Sequence, residues 1–386
     1  MKIGVIGCGR LGLAFALMCD KHGVQVVASD KNSQYIRNLK NGIVFTNEPK
    51  IPELLSNKRF IEFTESNEEV IEKCDYIWTF VETPSLADGS YDVTKVWGVV
   101  DQFKKTFEQE KSIQGKTFVV GCTTNPGDCD LFDETLRQYS VNVVYNPEFV
   151  AQGEIVNGFE NADMVLLGVS EGQDLKILTN LYRVIGGKDI KFNVMSLKAA
   201  ELTKISINCF LTMKISYANM IGEIAIKTGL ENEVDLILKS IGSDSRIGNK
   251  FLKYGFGFGG PCFPRDNRSL GNHAKKQGAN SKISDIINEM NNDHTEFLVE
   301  YYVSKNPDKL NPFVMKNISY KRGTDILVDS QQYNLCLKLL SLGYTVHVQE
   351  VESVISQFKM KDMSEIGGRL KFFRYGTKPD GYLIDL

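Results

Sequence analysis

The sequence predicts an α/β protein with an N-terminal Rossmann-type parallel sheet, a long central helix and a second, smaller Rossmann-like α/β domain. Three observations carry this prediction. An apolar strand leads at once into a glycine-rich turn and a helix, strand-like and helical stretches alternate through the first half, and residues 196–228 form one proline-free helical run. The expected domains span residues 1–193, 194–307 and 308–386.

The first element combines an apolar strand over residues 1–6, a G-x-G-x-x-G motif over residues 7–12 and a helix over residues 13–22. In this order the first glycine allows a tight turn, the second lets a pyrophosphate approach the backbone, and the third permits close packing of helix on strand. The helix N-terminus offers N–H groups to the phosphates. The candidate cofactor-binding residues of the motif are Gly7, Gly9, Arg10, Leu11 and Gly12.

The second strand, over residues 24–29, ends at Asp30. An acidic side chain at this position can accept both ribose hydroxyl groups and would repel a 2′-phosphate. The sequence therefore predicts NAD rather than NADP as the cofactor, and the neighbouring Lys31 keeps NADP as the alternative.

Length, charge and cysteine usage exclude several classes of protein. The 386 residues suffice for two or three domains, and a net charge of −3 argues against nucleic acid or an anionic membrane as partner. No apolar run approaches the roughly 20 residues that span a bilayer, and no cleavable signal peptide is expected. The eight cysteines lack C-x-x-C pairs and the four histidines lack metal spacing, so we expect reduced thiols, a cytoplasmic location and no metal site.

Three further strands of the first half end at polar, turn-forming residues. These strands are expected over residues 75–81, 116–123 and 141–145. Because the carboxyl ends of parallel strands line the ligand crevice of such a sheet, Thr83, Thr124 and Glu148 become candidate site residues. For the two threonines the alternative is ordinary turn or helix-capping chemistry.

The long helix carries Glu201, Lys204 and Asn208 at spacings of three and four residues, so these side chains share one face. The apolar residues around them favour a buried, ligand-facing stripe, and a solvated polar stripe is the alternative. After an expected linker over residues 308–311, strands are predicted over residues 313–318, 320–325 and 344–348.

Residues 255–266 form a glycine-rich run with Cys262 set between two prolines. The glycines let the backbone approach a ligand, and the prolines restrict the position of the thiol. This combination suits a covalent catalyst, and a buried, inert cysteine in a glycine-rich turn is the alternative.

Together these motifs resemble the UDP-glucose/GDP-mannose dehydrogenase family, the nucleotide-sugar 6-dehydrogenases. The resemblance runs through nearly the whole chain in the family's order, and the cysteine loop is its most specific part. Besides the N-terminal motif, the matching segments are NG at 41–42, NEP at 47–49, VETP at 81–84, TTNPG at 123–127, NPEF at 146–149, AELTK at 200–204, DSRIG at 244–248, GFGFGGPCFPRD at 255–266 and YKRGTD at 320–325.

The resemblance implies an NAD-dependent, four-electron oxidation of a primary alcohol on the sugar to a carboxylate. The Cys262 thiolate would add to the intermediate aldehyde, and the resulting thiohemiacetal would be oxidised to a thioester that water hydrolyses. UDP-glucose, giving UDP-glucuronate, is the expected substrate, with UDP-N-acetylhexosamines and GDP-mannose as alternatives.

The resemblance also assigns roles to the other candidate catalytic residues. Lys204 and Asn208 would stabilise negative charge on the reacting oxygen, and Asp266 would orient Lys204 or a water molecule. Glu148 would act as acid and base, through a water molecule held with Thr124.

Substrate and cofactor contacts are implied in the same way. The cofactor side would include Thr83, Thr124 and Arg265, and residues 256–260 would present backbone N–H groups to the substrate. Arg246 would reach across a homodimer to the neighbouring subunit's ligand. The expected substrate-binding residues are Phe149, Lys204, Asn208, Arg246, Phe256, Gly257, Gly259 and Lys321.

The sequence departs from the family pattern at Gln152, where a second glutamate is common, and at Ile326 and Val328, where an acidic residue and an arginine are usual. Arg265 stands in place of a lysine and keeps the charge with a different geometry. Two alternatives stay open: a two-electron dehydrogenase, which would not need Cys262, and a non-catalytic nucleotide-sugar-binding protein.

Overall fold

The computed structural model describes residues 2–109, 112–187, 189–359, 368–374, 376–377 and 379–386. The chain packs as two units, Met1–Ile205 and Ser206–Leu386. Each unit is built around its own sheet. The three domains expected from the sequence, with boundaries after residues 193 and 307, stay a prediction.

The first unit contains an eight-stranded sheet with the order β3-β2-β1-β4-β5-β6-β7-β8. All neighbouring strands are parallel except β6 and β7. The strand order reverses at β1, so the loops after β1 and β4 flank the switch point where ligands bind in such sheets. The strands are β1 (Lys2–Ile6), β2 (Gln25–Ser29), β3 (Ile61–Thr64), β4 (Tyr76–Thr79), β5 (Thr117–Val120), β6 (Asn142–Tyr145), β7 (Met164–Val169) and β8 (Lys191–Ser196).

Helices cover both faces of this sheet. Ile3 and Val5 of β1 belong to one apolar cluster and Ile6 belongs to another, as expected for a strand buried on both sides. The first helix begins at residue 10 rather than 13, because the N–H group of Leu13 donates to the Gly9 carbonyl at 2.9 Å. The helices are α1 (Arg10–Lys21), α2 (Ser33–Lys40), α3 (Ile51–Ser56), α4 (Asn67–Lys73), α5 (Thr94–Glu108), α6 (Asp128–Arg137), α7 (Ile155–Glu160) and α8 (Lys176–Gly186).

The long helix is α9 (Leu197–Lys227), within one residue of the predicted bounds. The second unit continues with helices and then a parallel sheet of order β11-β10-β9-β12. Leu298, Phe313 and Leu335 share one core, so the helix before this sheet packs against it. The elements are α10 (Val234–Gly242), α11 (Phe263–Lys276), α12 (Lys282–Lys305), β9 (Phe313–Met315), α13 (Gln331–Ser341), β10 (Val346–Gln349), α14 (Glu352–Lys359), β11 (Leu370–Phe373) and β12 (Tyr382–Ile384).

The predicted strand over residues 320–325 is wrong. The hydroxyl of Thr324 donates to the Lys321 carbonyl at 2.7 Å, and the N–H of Tyr320 donates to the Ile326 carbonyl at 3.0 Å. With Gly323 at φ +84°, these bonds fold the segment into a turn. The α/β fold class and its long helix are confirmed. Among the described residues, no helix is both long enough and apolar enough to cross a membrane.

Candidate active site

The turn after β1 has the shape that the glycine motif predicts. Gly7 has φ +94°, a value that favours glycine, and a Cβ atom on Gly12 would lie 2.0 Å from the Gly7 carbonyl oxygen. The exposed Gly9 is the N-cap residue of α1, and its Cβ position has no described atom within 4 Å apart from its chain neighbours and the helix backbone. Space beside a helix N-terminus is what a pyrophosphate needs, so the turn fits the cofactor.

This geometry predicts different outcomes for two alanine substitutions. Gly9 has φ −62°, so we expect Gly9→Ala to melt at the wild-type temperature but to bind NAD at least about tenfold more weakly, since the methyl group would meet the pyrophosphate. We expect Gly12→Ala to melt at a lower temperature, because its methyl group meets backbone. Calorimetric titration measures the NAD affinity of each variant, and thermal unfolding measures its melting temperature. Wild-type NAD affinity in Gly9→Ala would contradict this placement of the cofactor.

Three further cofactor candidates lie near this turn. Leu11 packs against the core, and the exposed Arg10 places its Nη1 atom 3.5 Å from Oε1 of Gln152. Gln152, the departure from the family pattern, is therefore a neighbour of the glycine motif. Asp30 follows β2, and its carboxylate accepts a hydrogen bond from the N–H of Asn32 at 3.0 Å. This bond fixes the Asp30 carboxylate at the carboxyl edge of the sheet.

The two threonines after β4 and β5 are buried, and their hydroxyl groups bind protein atoms. Thr83 donates to the Thr123 carbonyl at 2.7 Å, which ties two loops of the crevice together. Thr124 donates to the Glu201 carboxylate at 2.7 Å. Neither of these two bonds is the local turn or helix-capping contact considered as the alternative, because each joins residues far apart along the chain. The roles of both threonines at the cofactor stay predictions.

Glu201 is a buried carboxylate that holds the start of α6. Its oxygens accept the N–H groups of Gly127 at 2.6 Å and Cys129 at 2.9 Å as well as the Thr124 hydroxyl. Burial raises its pKa to about 7 in spite of these bonds. Glu201, Lys204 and Asn208 are 0%, 7% and 8% exposed, so the alternative of a solvated stripe on α9 is wrong.

Glu148, Phe149 and Lys204 form a compact group in the first unit. The Lys204 ammonium donates to the Glu148 carbonyl oxygen at 2.7 Å and lies 4.3 Å from the centre of the Phe149 ring. Burial raises the pKa of the Glu148 carboxyl to about 7, and the Tyr182 hydroxyl and the Lys204 charge oppose this shift. A carboxyl group that titrates near neutrality can both accept and return a proton.

Cys262 is exposed and occupies the residue just before α11, whose first turn contains Asp266. The buried Asp266 carboxylate accepts a hydrogen bond from the Asn208 amide at 2.6 Å, and its other oxygen lies 3.6 Å from Nε of Arg265. Because Cys262 is exposed, the alternative of a buried cysteine at this position is wrong. The other seven cysteines are buried, and burial raises the pKa of most of their thiols, which keeps them neutral.

The glycine run before Cys262 forms backbone hydrogen bonds with residues that follow later in the chain. Gly257 donates its N–H to the Gln331 side chain, Phe258 donates to Asn291 at 2.9 Å, and Gly260 donates to the carbonyl of Val328 at 2.9 Å. The expectation that residues 256–260 present backbone N–H groups to a substrate is therefore wrong for these three residues, and it stays a prediction for Phe256 and Gly259. A Cβ atom on Gly259 would lie 2.4 Å from the Asp329 carbonyl oxygen, so this glycine permits the close packing of two loops.

The remaining substrate candidates, Phe256, Lys321 and Arg246, have three different environments. Phe256 packs against the core of the second unit, and Lys321 is partly buried in the turn that follows β9. Arg246 is exposed and forms a paired contact with Asp244, with Nε–Oδ1 at 3.0 Å and Nη2–Oδ2 at 2.6 Å. An exposed arginine fits the predicted reach to a neighbouring subunit, which stays a prediction.

Sequence reasoning did not select Tyr182 or Asn146, which contact the Glu148 group. The Tyr182 hydroxyl lies 2.7 Å from Oε1 of Glu148 and 2.5 Å from Oδ1 of Asn146. Tyr182 lies on the buried face of α8 and looks like an ordinary core residue in the sequence. Asn146 is two residues before Glu148, and two signals pointed to it: its polarity at a strand end and its place in the NPEF segment at 146–149. The described residues contain no group of three or more His, Cys, Asp or Glu side chains placed to hold a metal ion.

Comparison with known proteins assigns the family. Residues 1–186 match the UDP-glucose/GDP-mannose dehydrogenase family, NAD binding domain, and residues 198–293 match the central domain of the same family. A UDP-glucose 6-dehydrogenase of Rickettsia bellii is 28% identical over 351 residues, which cover 89% of this chain and 79% of the relative.

Solved structures agree with this assignment. A UDP-glucose dehydrogenase from Pyrobaculum islandicum has a TM-score of 0.85 and 25% identity, with 97% of this chain and 86% of that chain covered. A UDP-D-ManNAc dehydrogenase from Pyrococcus horikoshii shares the fold, with a TM-score of 0.76, 20% identity and coverage of 99% and 97%. The resemblance seen in the motifs and the prediction of NAD as cofactor are confirmed. The chain belongs to the UDP-glucose/GDP-mannose dehydrogenase family and is an NAD-binding oxidoreductase of nucleotide sugars.

Proposed function

We propose that this chain oxidises UDP-glucose to UDP-glucuronate with two molecules of NAD in succession, through a covalent intermediate on Cys262. The observation that carries the proposal is the exposed thiol at the N-terminus of α11, directly after the glycine run. The positive end of a helix dipole stabilises negative charge at this position, which favours a nucleophilic sulfur. The names of the relatives from Rickettsia bellii and Pyrobaculum islandicum support UDP-glucose as the substrate.

Bound NAD supplies the hydride acceptor for each oxidation. In the first oxidation the primary alcohol loses a hydride and a proton and becomes an aldehyde. The Cys262 sulfur then bonds to the aldehyde carbon, and loss of a second hydride from this carbon gives a thioester. Water breaks the carbon–sulfur bond and releases the carboxylate and the thiol. Each turnover therefore consumes one sugar alcohol, two NAD and one water, and yields one carboxylate, two NADH and three protons.

The residues around these steps have matching chemistry. Lys204 and Asn208 lie one turn apart on α9, and they would donate hydrogen bonds to the oxygen that becomes negative. Asp266 accepts a hydrogen bond from Asn208 and would keep this amide in place. Glu148, with a pKa of about 7, would exchange the protons that leave the alcohol and the attacking water.

A homodimer is part of the proposal. Phe210, Tyr217 and Ile224 of α9 are 59%, 42% and 52% exposed and follow each other at intervals of seven residues, so they form an apolar stripe on one face. A second copy of the chain would cover this stripe and bring Arg246 to a neighbouring ligand. Light scattering of the purified protein is expected to give twice the chain mass of 43.4 kDa, and a monomer would contradict this part.

The function is tested by NADH formation from UDP-glucose, UDP-N-acetylglucosamine, UDP-N-acetylmannosamine and GDP-mannose, each with NAD and with NADP. We expect two NADH for each UDP-glucose, with UDP-glucuronate as the product, and little reduction of NADP. One NADH for each sugar would favour a two-electron dehydrogenase. Binding of nucleotide sugar without NADH formation at any pH would favour a non-catalytic binding protein, and would make Gln152, Ile326 and Val328 the decisive departures.

A further inference from the structure

The hydroxyl group of Tyr182 lies between two acceptors. One is Oδ1 of Asn146 at 2.5 Å, and the other is Oε1 of Glu148 at 2.7 Å. A tyrosine hydroxyl carries one proton, so it can donate to only one of these oxygens at a time. The second short contact is a hydrogen bond only when Glu148 itself carries a proton and donates it to the Tyr182 oxygen.

The orientation of the Asn146 side chain is fixed by its other contacts. The indole N–H of Trp78, which can only donate, lies 3.1 Å from Oδ1 of Asn146, and the Asn146 amide nitrogen donates to the Leu166 carbonyl at 3.2 Å. Oδ1 therefore faces Tyr182 as an acceptor. Trp78, Asn146 and Tyr182 are at most 3% exposed, so water does not replace these bonds readily.

The groups that the described residues place near the Glu148 carboxyl lie on three helices. The Lys204 ammonium, on α9, lowers its pKa, and burial raises it. Burial and the charge of Glu148 raise the pKa of the Cys19 thiol, on α1, so this thiol stays neutral. Among the described residues, the side chain of Tyr182, on α8, forms a hydrogen bond with this carboxyl group.

We propose that Tyr182 is a positioning residue that keeps the Glu148 carboxyl in one place through both of its protonation states. When Glu148 is ionised, the Tyr182 O–H donates to the carboxylate. When Glu148 is protonated, it donates to the Tyr182 oxygen, and the Tyr182 proton turns to Asn146. One proton is added to or removed from Glu148, and the side chains stay where they are. The inference rests on the proposed acid–base role of Glu148.

The variant Tyr182→Phe tests this by removing one oxygen and keeping the ring. The bond from Tyr182 to ionised Glu148 is assisted by charge and is therefore stronger than the neutral bond in the protonated state, so its loss raises the pKa of Glu148 above about 7. The difference between a charge-assisted and a neutral hydrogen bond corresponds to a rise of up to about one pH unit. The acidic limb of the kcat/KM profile should move up by this amount, with activity reduced several-fold at pH 7 and regained at alkaline pH.

A second readout does not depend on turnover. Protonated Glu148 gives an infrared carbonyl band, which is assigned by its absence from the variant Glu148→Gln. The band disappears as Glu148 ionises with rising pH, so its pH dependence measures the titration of Glu148 directly. Tyr145→Phe is the matched control, because the Tyr145 hydroxyl is buried in the same unit and has no hydrogen-bond partner among the described residues. We expect both readouts of this control to match wild type.

The outcomes separate the two proposals. A band that titrates at the same pH in Tyr182→Phe and in wild type overturns the role of Tyr182, and so does a uniform loss of activity without a shift of the profile. A wild-type protein that forms no NADH from any nucleotide sugar overturns the proposed function, while the infrared titration still shows whether Tyr182 acts on Glu148.

Discussion

Replacing Cys262 by alanine is expected to lower the rate of NADH formation and of acid formation from UDP-glucose by at least about a thousandfold. Without the sulfur, the aldehyde from the first oxidation has no covalent partner, and the second oxidation lacks its thiohemiacetal. The fold should not suffer, because Cys262 is exposed and its side chain does not cap α11. A steady-state assay of NADH and product, with thermal unfolding of the same sample, measures both effects.

Cys336→Ala is the control for this variant. Cys336 is fully buried in the core of the second unit, so its loss leaves a cavity. We expect a lower melting temperature with turnover close to wild type, which is the opposite pattern. If Cys262→Ala retained most of its turnover, the reaction would have no covalent step and the two-electron alternative would be the better one.

Replacing Lys204 by methionine is expected to reduce kcat by about a hundredfold to a thousandfold, with a smaller change in KM. Methionine keeps an unbranched apolar side chain but removes the ammonium, which lies over the Phe149 ring and would stabilise the reacting oxygen. The same change should raise the pKa of Glu148, because the Lys204 charge lowers it in the wild type. The acidic limb of the pH profile should therefore move to higher pH together with the loss of rate.

Lys116→Met separates this effect from the general loss of a buried lysine. Lys116 is also 7% exposed, and its ammonium donates to the carbonyls of Cys74 at 2.7 Å and Glu72 at 3.1 Å. It lies just before β5, at the end of the sheet opposite to the ligand edge. We expect Lys116→Met to lose thermal stability and keep kcat. Equal losses of kcat in the two variants would show that Lys204 acts through the fold.

Five strands of the first unit, β1, β2, β4, β5 and β6, could be predicted because local and global signals agree there. They are short apolar runs followed by turn-forming residues, and a glycine motif between a strand and a helix is typical of a dinucleotide-binding turn. The predicted strand over residues 320–325 failed because the segment is mostly polar and its hydrogen bonds close a turn within six residues, which overrides the strand pattern.

The sequence could predict the candidate site only where a side chain is chemically reactive by itself. Cys262, Lys204 and Glu148 are reactive side chains in recognisable segments, and the sequence pointed to them. The partners of Glu148 and of the glycine run lie far away along the chain: Tyr182 is 34 residues from Glu148, and Gln331 is 74 residues from Gly257. No local pattern links such pairs, because the packing of the folded chain brings them together.

Gln331 and Asn291 accept hydrogen bonds from the glycine run before Cys262, and this arrangement has a consequence for the order in which the protein folds during synthesis. The cofactor motif lies within the first 12 residues, whereas the acceptors for Gly257 and Phe258 follow 74 and 33 residues after them. A ribosome releases the N-terminal part first, so the cofactor fold can form on the nascent chain long before the loop has its supports. A chain cut short before residue 331 would carry the glycine motif but lack the acceptor for Gly257. The loop before Cys262 therefore gains its last supports only when nearly all of the 386 residues have been made.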